Sequence, residues 1–382
     1  MTQFNFTDDA LSIVDESTTA NEDKVVEKQS SKTKKRKTKT CDDKKQEAVP
    51  VSDDIYIPSG CTLVDLACTD TIKGFCPVGH TINIIGDSNA GKTMLAVASM
   101  AETFARYGNM FEYKFYDFEQ AMSFDVPSLF GNRFSDAFII EEPEHTPEWS
   151  IEAVASKVIA DCKEHAQFIV IDSADGMLSH VEMEAIVAGK QLEQTAYGGP
   201  RAKAMTTFFR QVCPAVAKSN SFMIVLSQAK DNMGFGAMFK PKVRYGGKAL
   251  AYYAYIELWL ARAEAIKAKD TVLGSWTKAK VERSKANGKR RIVEFPILPA
   301  YGIDNTRGNM RWLLNENVIS KVGRKLDLSS LGIEHNEKCD VLKYVEENGY
   351  TDKVVQAVVD KWNANEAELI EKTFCGRKSR YE

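Results

Sequence analysis

The run GDSNAGKT (86–93) constrains the fold of this chain more than any other feature of its sequence. It fits the pattern G-x-x-x-x-G-K-[ST], in which successive backbone N–H groups and the start of a helix enclose phosphate groups. The pattern has that meaning only between a strand and a helix, and both are written here. TINIIG (81–86) is apolar and rich in β-branched residues, while KTMLAVASMAETFARYG (92–108) repeats apolar residues at helical spacing and stops at a glycine. Gly86, Asp87, Ser88, Asn89, Ala90 and Gly91 are the expected backbone cradle. Lys92 is placed to reach the β- and γ-phosphates of a nucleotide, and Thr93 to hold Mg²⁺. A chance glycine turn needs neither flank.

Strand-like and helix-like patterns alternate from about residue 53. YKFYDFE (113–119), AFIIEE (137–142), FIVID (168–172) and FMIVLSQ (222–228) read as strands, with helical stretches at 150–164 and 200–218. FIVID and FMIVLSQ are short and apolar, as strands buried on both faces should be. The alternation predicts an α/β fold around a mostly parallel twisted sheet. Three later runs, 254–262, 275–283 and 290–297, are expected to close that sheet in antiparallel fashion. Beyond about 302 the pattern changes to short helical stretches such as CDVLKYVEENG and DKVVQAVVDKW. The expected organisation is a charged tail over 1–52, the α/β core over 53–302 and a small, mainly helical C-terminal subdomain over 303–382. The tail is polar and includes SKTKKRKTKT (31–40), so it cannot bury enough apolar surface to offset its ordering entropy and is expected to be disordered. Its basic block is either a solvated tail or a contact for DNA phosphates.

Composition narrows the class of protein. A mean hydropathy of -0.31 and the lack of a long apolar run argue against a membrane span. No basic-then-apolar leader opens the chain, so a cytoplasmic location is expected. The 8 cysteines never form a C-x-x-C pair, which argues against a zinc site or a disulfide framework. With a net charge of only -3, any contact with nucleic acid must come from local clusters.

Two carboxylates and an amide stand where α/β sheets place ligands, at the carboxyl ends of strands. Asp172 ends FIVID and can hold the water shell of an ion bound by Thr93. The plainer alternative is an Asp that caps the following loop. Glu119 ends YKFYDFE, where it can orient or deprotonate an attacking water, or serve as no more than an exposed strand-end carboxylate. Gln228 ends FMIVLSQ, where an amide can sense a γ-phosphate and pass its loss to the loop that follows.

As a set these residues resemble the core of the RecA-type recombinases, over about 57–312. IPSGCTLVDLA resembles the approach to that family's phosphate loop. DFEQAMSFDVPSLFG (117–131) matches without gaps the stretch that opens with its catalytic glutamate, here Glu119. SQ matches its switch glutamine at Gln228, and GGKALAYYA (246–254) resembles the segment that closes its second DNA-binding loop. RAKAMTTFFRQVCPAVAKSN, VERSK and YGIDNTRG look closer still to the UvsX-type recombinases of T-even phages. The resemblance implies a RecA-like P-loop ATPase that uses ATP and Mg²⁺ in a DNA-dependent manner. It implies a homo-oligomeric helical filament on single-stranded DNA, pairing with homologous duplex DNA, and strand exchange in recombination, repair and recombination-dependent replication. A single-strand binding protein and a loader are implied as partners, and the host cytoplasm or nucleoid as the location if a phage encodes the chain.

The same resemblance assigns two loops to DNA. The first, over 177–200, carries Lys190. The second, KDNMGFGAMFKPKVRYGGK (230–248), offers Lys230, Lys240, Lys242, Arg244 and Lys248 to phosphates. Its Met233, Phe235, Met238 and Phe239 suit wedges or stacking surfaces between bases, or else pack on a neighbouring subunit or the core. VERSK places Arg283 and Lys285 where the family inserts two cations across the subunit interface into the neighbour's nucleotide. Basic residues alternating on a strand are otherwise a solvated face.

Two features depart from the family pattern. The position of its adenine-stacking tyrosine is Val126 and that of the neighbouring aspartate is Ser123, with Phe124 the candidate replacement platform. Its N-terminal polymerisation helix has no recognisable counterpart, and the strand-like DDIYIP (53–58) is the candidate element for tying subunits together. Two rival readings stay open. One is a hexameric, ring-forming replicative helicase on the same fold, against which the polar tail argues. The other is a recombination mediator or regulatory paralogue that binds ATP without exchanging strands, against which Glu119, Gln228 and the second loop argue.

Overall fold

The apolar runs form the strands β1 Thr81–Gly86, β2 Glu112–Asp117, β3 Phe138–Glu141, β4 Gln167–Asp172 and β5 Phe222–Asp231. They continue as β6 Lys242–Arg244, β7 Ile256–Ala268, β8 Thr271–Ser284, β9 Ile292–Leu298 and β10 Gly302–Ile303. Among the described residues these make one 10-stranded sheet in the order β10-β9-β8-β7-β1-β5-β4-β2-β3, with β6 paired to β5. The computed structural model describes residues 55–189, 199–231, 242–244, 247–322, 325–334, 340–374 and 377. All of them fall in the unit Pro50–Glu382, and the expected tail lies outside the described residues.

β1 lies in the middle of the sheet, parallel to β5 on one side and to β7 on the other. Beyond β5 the parallel run continues through β4, β2 and β3. On the far side β8, β9 and β10 are antiparallel. Antiparallel closure therefore holds for the second and third of the late runs but not the first. β7 is parallel to β1 because the helix Gly247–Tyr253 crosses over and returns the chain to the amino-end edge, where Tyr255 N–H donates to Thr81 O at 2.7 Å. β5 runs past Gln228 to Asp231, and β6 folds back on this extension with Lys242 opposite Asp231 and Arg244 opposite Ala229.

Alternation along the strands feeds two cores. Ile82, Ile84, Phe168, Val170, Ile224 and Leu226 pack with Leu95, Val97 and Met100 of helix α1 Lys92–Tyr107. Ile169, Ile171, Met223 and Val225 face the other way, onto Val154 and Val158 of α2 Ile151–Glu164 and Phe208 and Val212 of α3 Pro200–Lys218. Each such buried side chain contributes roughly 1.5–3 kcal/mol, so the strand ends are held firmly in register. The start of α2 is fixed by Ser150, whose hydroxyl accepts the N–H of Ala153 at 3.3 Å.

The C-terminal helices share the first of these cores: Met310 and Leu313 of α4 Asn305–Asn315 and Val354, Val358 and Trp362 of α5 Thr351–Phe374 are buried in it. Arg291 fastens α5 by pairing with Glu366 at 2.5 Å and Asp70 at 2.6 Å, its guanidinium 5.0 Å from the Trp362 ring centre. Tyr56–Ile57 of the DDIYIP run pairs with Cys76–Pro77 of the same chain. Among the described residues no helix is long and apolar enough to cross a membrane.

Candidate active site

Sheet register gathers the candidate residues at one edge. Gly86 at the end of β1 lies opposite Gln228 on β5, and Asp117 at the end of β2 lies opposite Asp172 on β4. These are carboxyl ends of parallel strands, with the 86–93 turn leading from β1 into α1. The turn tolerates little at its glycines. A Cβ on Gly91, which sits at φ +89, would meet Ile297 Cδ1 at 2.2 Å, and one on Gly86 would meet the Leu260 carbonyl oxygen at 2.5 Å.

Lys92 opens α1 and is buried, with Nζ donating to the carbonyls of Gly86 and Asp87 at 3.0 Å each. Burial pushes its pKa down, while the charges of Asp172, Glu119, Asp175 and Asp87 act in the other direction. Its ammonium thus lies inside the loop, within a set of carboxylates. The Thr93 hydroxyl donates to Asp172 Oδ2 at 2.7 Å. Burial pushes the Asp172 carboxyl up to about 6 against the pull of the Thr93 hydrogen bond, and the Glu119 charge adds to the rise.

A hydroxyl and a carboxylate side by side are oxygen donors suited to Mg²⁺. That ion is commonly bound by one or two carboxylates together with nucleotide phosphates rather than by a protein cage. The Thr93 hydroxyl and the Asp172 carboxylate fit this pattern.

Glu119 lies beyond β2 rather than on it. β2 ends at Asp117, whose carboxylate accepts the N–H groups of Ala121 at 3.3 Å and Met122 at 2.8 Å and so folds the chain into a turn. Glu119 N–H donates to Asp172 O at 3.2 Å, which holds it beside β4. Its Oε1 accepts from Gln228 Nε2 at 3.0 Å and from the Ser173 hydroxyl. The Asp172–Ser173 peptide bond is cis.

Two residues at this edge escaped the sequence reading, Ser173 and Asp175. Asp175 Oδ2 accepts the Gln228 N–H at 2.6 Å, while its Oδ1 is buried without a partner. Burial pushes the Asp175 carboxyl up to about 6, opposed by the Gln228 hydrogen bond. The available signal was an acidic residue three places after a strand-end Asp, in DSAD, which reads equally well as a polar loop.

The remaining candidates are spread more widely. Lys230 is on β5, while Lys242 and Arg244 are on β6. Lys242 Nζ pairs with Asp87 of the phosphate loop, and Arg244 pairs with Glu257 of β7 at 2.7 Å. Lys190, Met233, Phe235, Met238, Phe239 and Lys240 lie outside the described residues, as does the side chain of Lys248. Val126 is buried in the α1-side core and presents no platform to a base, and Phe124 is half-buried against the same core.

Arg283 and Lys285 lie toward the opposite edge of the sheet. Ala279 of β8 is level with Leu260 and hence with Gly86, whereas Arg283 is level with Glu257. Leu260 and Glu257 are three residues apart, the extra residue of β8 being taken up by a bulge between Val281 and Arg283, so the offset is about 10 Å at about 3.3 Å per residue. Arg283 Nη2 donates to Ala254 O at 3.2 Å and Lys285 Nζ to Tyr252 O at 3.1 Å, both carbonyls at the end of the helix that follows the second loop.

The chain is similar to known proteins. The RecA N-terminal domain family matches residues 26–304. Protein RecA of Ehrlichia ruminantium (strain Gardel) is 27% identical over 315 residues, covering 82% of this chain and 83% of that protein. Protein RecA of Cereibacter sphaeroides is 30% identical over 251 residues, covering 65% and 68%. Protein RecA 2 of Myxococcus xanthus is 30% identical over 268 residues, covering 70% of each chain. With the family match spanning most of its length and the phosphate loop, Glu119, Asp172 and Gln228 gathered at one sheet edge, this chain belongs to the RecA family.

Proposed function

We propose that this chain is an ATP-dependent homologous recombinase, of the kind found in T-even phages as UvsX. It assembles as a helical filament on single-stranded DNA, pairs that strand with a homologous duplex and promotes strand exchange. The observation that carries the reading is the hydrogen bond from Gln228 Nε2 to Glu119 Oε1 at 3.0 Å. β5 runs without a break from Gln228 to Asp231, at the start of the expected DNA loop. The carboxylate suited to handle an attacking water is therefore one bond from the strand that leads to DNA.

The residues divide the work as follows. Backbone N–H groups of 86–91 enclose the ATP phosphates, and Lys92 supplies the nearest positive charge to the β- and γ-phosphates. Thr93 and Asp172 hold Mg²⁺, which when bound neutralises charge on the phosphates. Glu119 orients the attacking water and takes its proton, while Ser173 and Gln228 hold its Oε1 in place. Gln228 relays the presence of the γ-phosphate along β5. Arg283 and Lys285 act on the ATP of a neighbouring subunit, so that hydrolysis depends on assembly. Lys190, Lys230, Lys240 and Lys248 contact DNA phosphates, and Met233, Phe235, Met238 and Phe239 contact bases, whereas Lys242 and Arg244 are engaged by Asp87 and Glu257. A single-strand binding protein and a loader act with the filament in the host cytoplasm or nucleoid. The runs RAKAMTTFFRQVCPAVAKSN, VERSK and YGIDNTRG support the phage type. Electron microscopy with ATP, Mg²⁺ and single-stranded DNA tests the assembly: open helical filaments are expected, and closed hexameric rings would point to a helicase instead.

A further inference from the structure

The second loop returns to the core through β6, and two ion pairs fasten that strand, one to the phosphate loop and one to β7. Arg244 pairs with Glu257 of β7 at 2.7 Å, both side chains largely buried. Lys242 Nζ pairs with the carboxylate of Asp87, whose own carbonyl accepts from Lys92. The two pairs differ in setting, because the Asp87 side chain is 41% exposed where that of Glu257 is 12% exposed. The Arg244 pair is a fixed anchor. The Lys242 pair lies at the mouth of the phosphate loop, where an arriving nucleotide brings negative charge beside Asp87. Lys242 is a cation beside that carboxylate.

We infer that Lys242 is a nucleotide-responsive latch. With the phosphate loop empty it pairs with Asp87, and with the loop filled it exchanges that carboxylate for phosphate oxygens of the nucleotide. The exchange moves one end of β6 while Arg244 holds the other, so nucleotide occupancy reaches the strand leaving the second loop as well as the strand leading into it. Linkage makes the effect reciprocal: whatever displaces β6 changes nucleotide affinity by the same factor. The inference rests on the nucleotide-binding reading above and adds a residue to it.

A double-mutant cycle without DNA tests it, using a fluorescent non-hydrolysable ATP analogue with Mg²⁺ on the full chain. Lys242→Ala is expected to weaken binding by roughly threefold, since the phosphate contact is offset by the lost Asp87 pair. In an Asp87→Asn background the same change is expected to weaken binding by roughly tenfold or more, because the Asp87 carboxylate no longer competes for Lys242. Lys242→Arg, which keeps the charge, is expected to lose less than Lys242→Ala in each background. Equal losses from Lys242→Ala in the two backgrounds, or no loss in either, would overturn the latch while leaving nucleotide binding intact. A wild-type chain that fails to bind the analogue would overturn the nucleotide reading itself.

Discussion

Replacing Arg283 and Lys285 together by alanine asks whether the site is completed by a second subunit. Arg283 is level with Glu257 rather than with Gly86, about 10 Å along the strands from its own phosphate loop. Cations so placed cannot be part of their own nucleotide site, and the free double variant should bind ATP as wild type does. Its DNA-stimulated turnover should fall by about 10³–10⁵, the range for a cation supplied in trans to a phosphoryl group. The variant also loses bonds to the carbonyls of Ala254 and Tyr252, worth about 1 kcal/mol each, which lowers thermal stability but is too small to produce such a fall. Mixing with Lys92→Ala sharpens the test. In a head-to-tail assembly, random equal mixing makes about a quarter of the interfaces combine an intact loop with intact cations. A steady-state ATPase assay should then recover about that share of wild-type activity. No recovery, with co-assembly on DNA verified by light scattering, would refute the trans arrangement, as would weakened ATP binding by the free double variant.

Glu119→Gln keeps the shape of the side chain but cannot take a proton, so ATP should still bind and filaments persist while turnover falls by about 10²–10⁴. Equal losses of affinity and turnover would assign Glu119 a structural role. Asp172 offers a pH test with a definite sign. Its carboxyl is raised from the usual value near 3.9 to about 6, so the nucleotide-free folded state holds more protons than the unfolded chain across that interval and loses stability as pH rises through it. Asp172→Asn should therefore be more resistant to thermal unfolding than wild type at pH 7 without nucleotide, by on the order of 2 kcal/mol, with no difference near pH 4. A less stable variant at pH 7 would contradict the upward shift that burial imposes on Asp172.

Local physical demands made most of the fold and site legible. A strand buried on both faces must be an apolar run, which exposed β4 and β5. Gly91 sits at φ +89 and a Cβ on Gly86 would meet a backbone carbonyl oxygen, so the phosphate loop had to show its glycines. Asp172 and Gln228 followed because they end such runs. Direction was not legible for β7: an amphipathic run looks the same in a parallel or an antiparallel pair, and the deciding element was the helix Gly247–Tyr253. The backfold of β6 was hidden in a polar, glycine-rich stretch, and the pair it makes with Asp87 joins residues 155 positions apart. Ser173 and Asp175 escaped notice because their importance comes from what they touch, Glu119 and the Gln228 N–H, rather than from any spacing. The boundary of β2 misplaced Glu119 by a turn, since the Asp117 side chain ends the strand by accepting two backbone N–H groups.

Strand exchange between circular single-stranded DNA and a homologous linear duplex, with ATP and Mg²⁺, measures the proposed activity without intermediaries. Joint molecules maturing to nicked circles are expected, only with homologous DNA and not with Lys92→Ala. A wild-type chain that hydrolyses ATP on single-stranded DNA yet forms no joint molecules would contradict the recombinase reading and favour a mediator, and ATP-driven unwinding of a non-homologous duplex would favour a helicase.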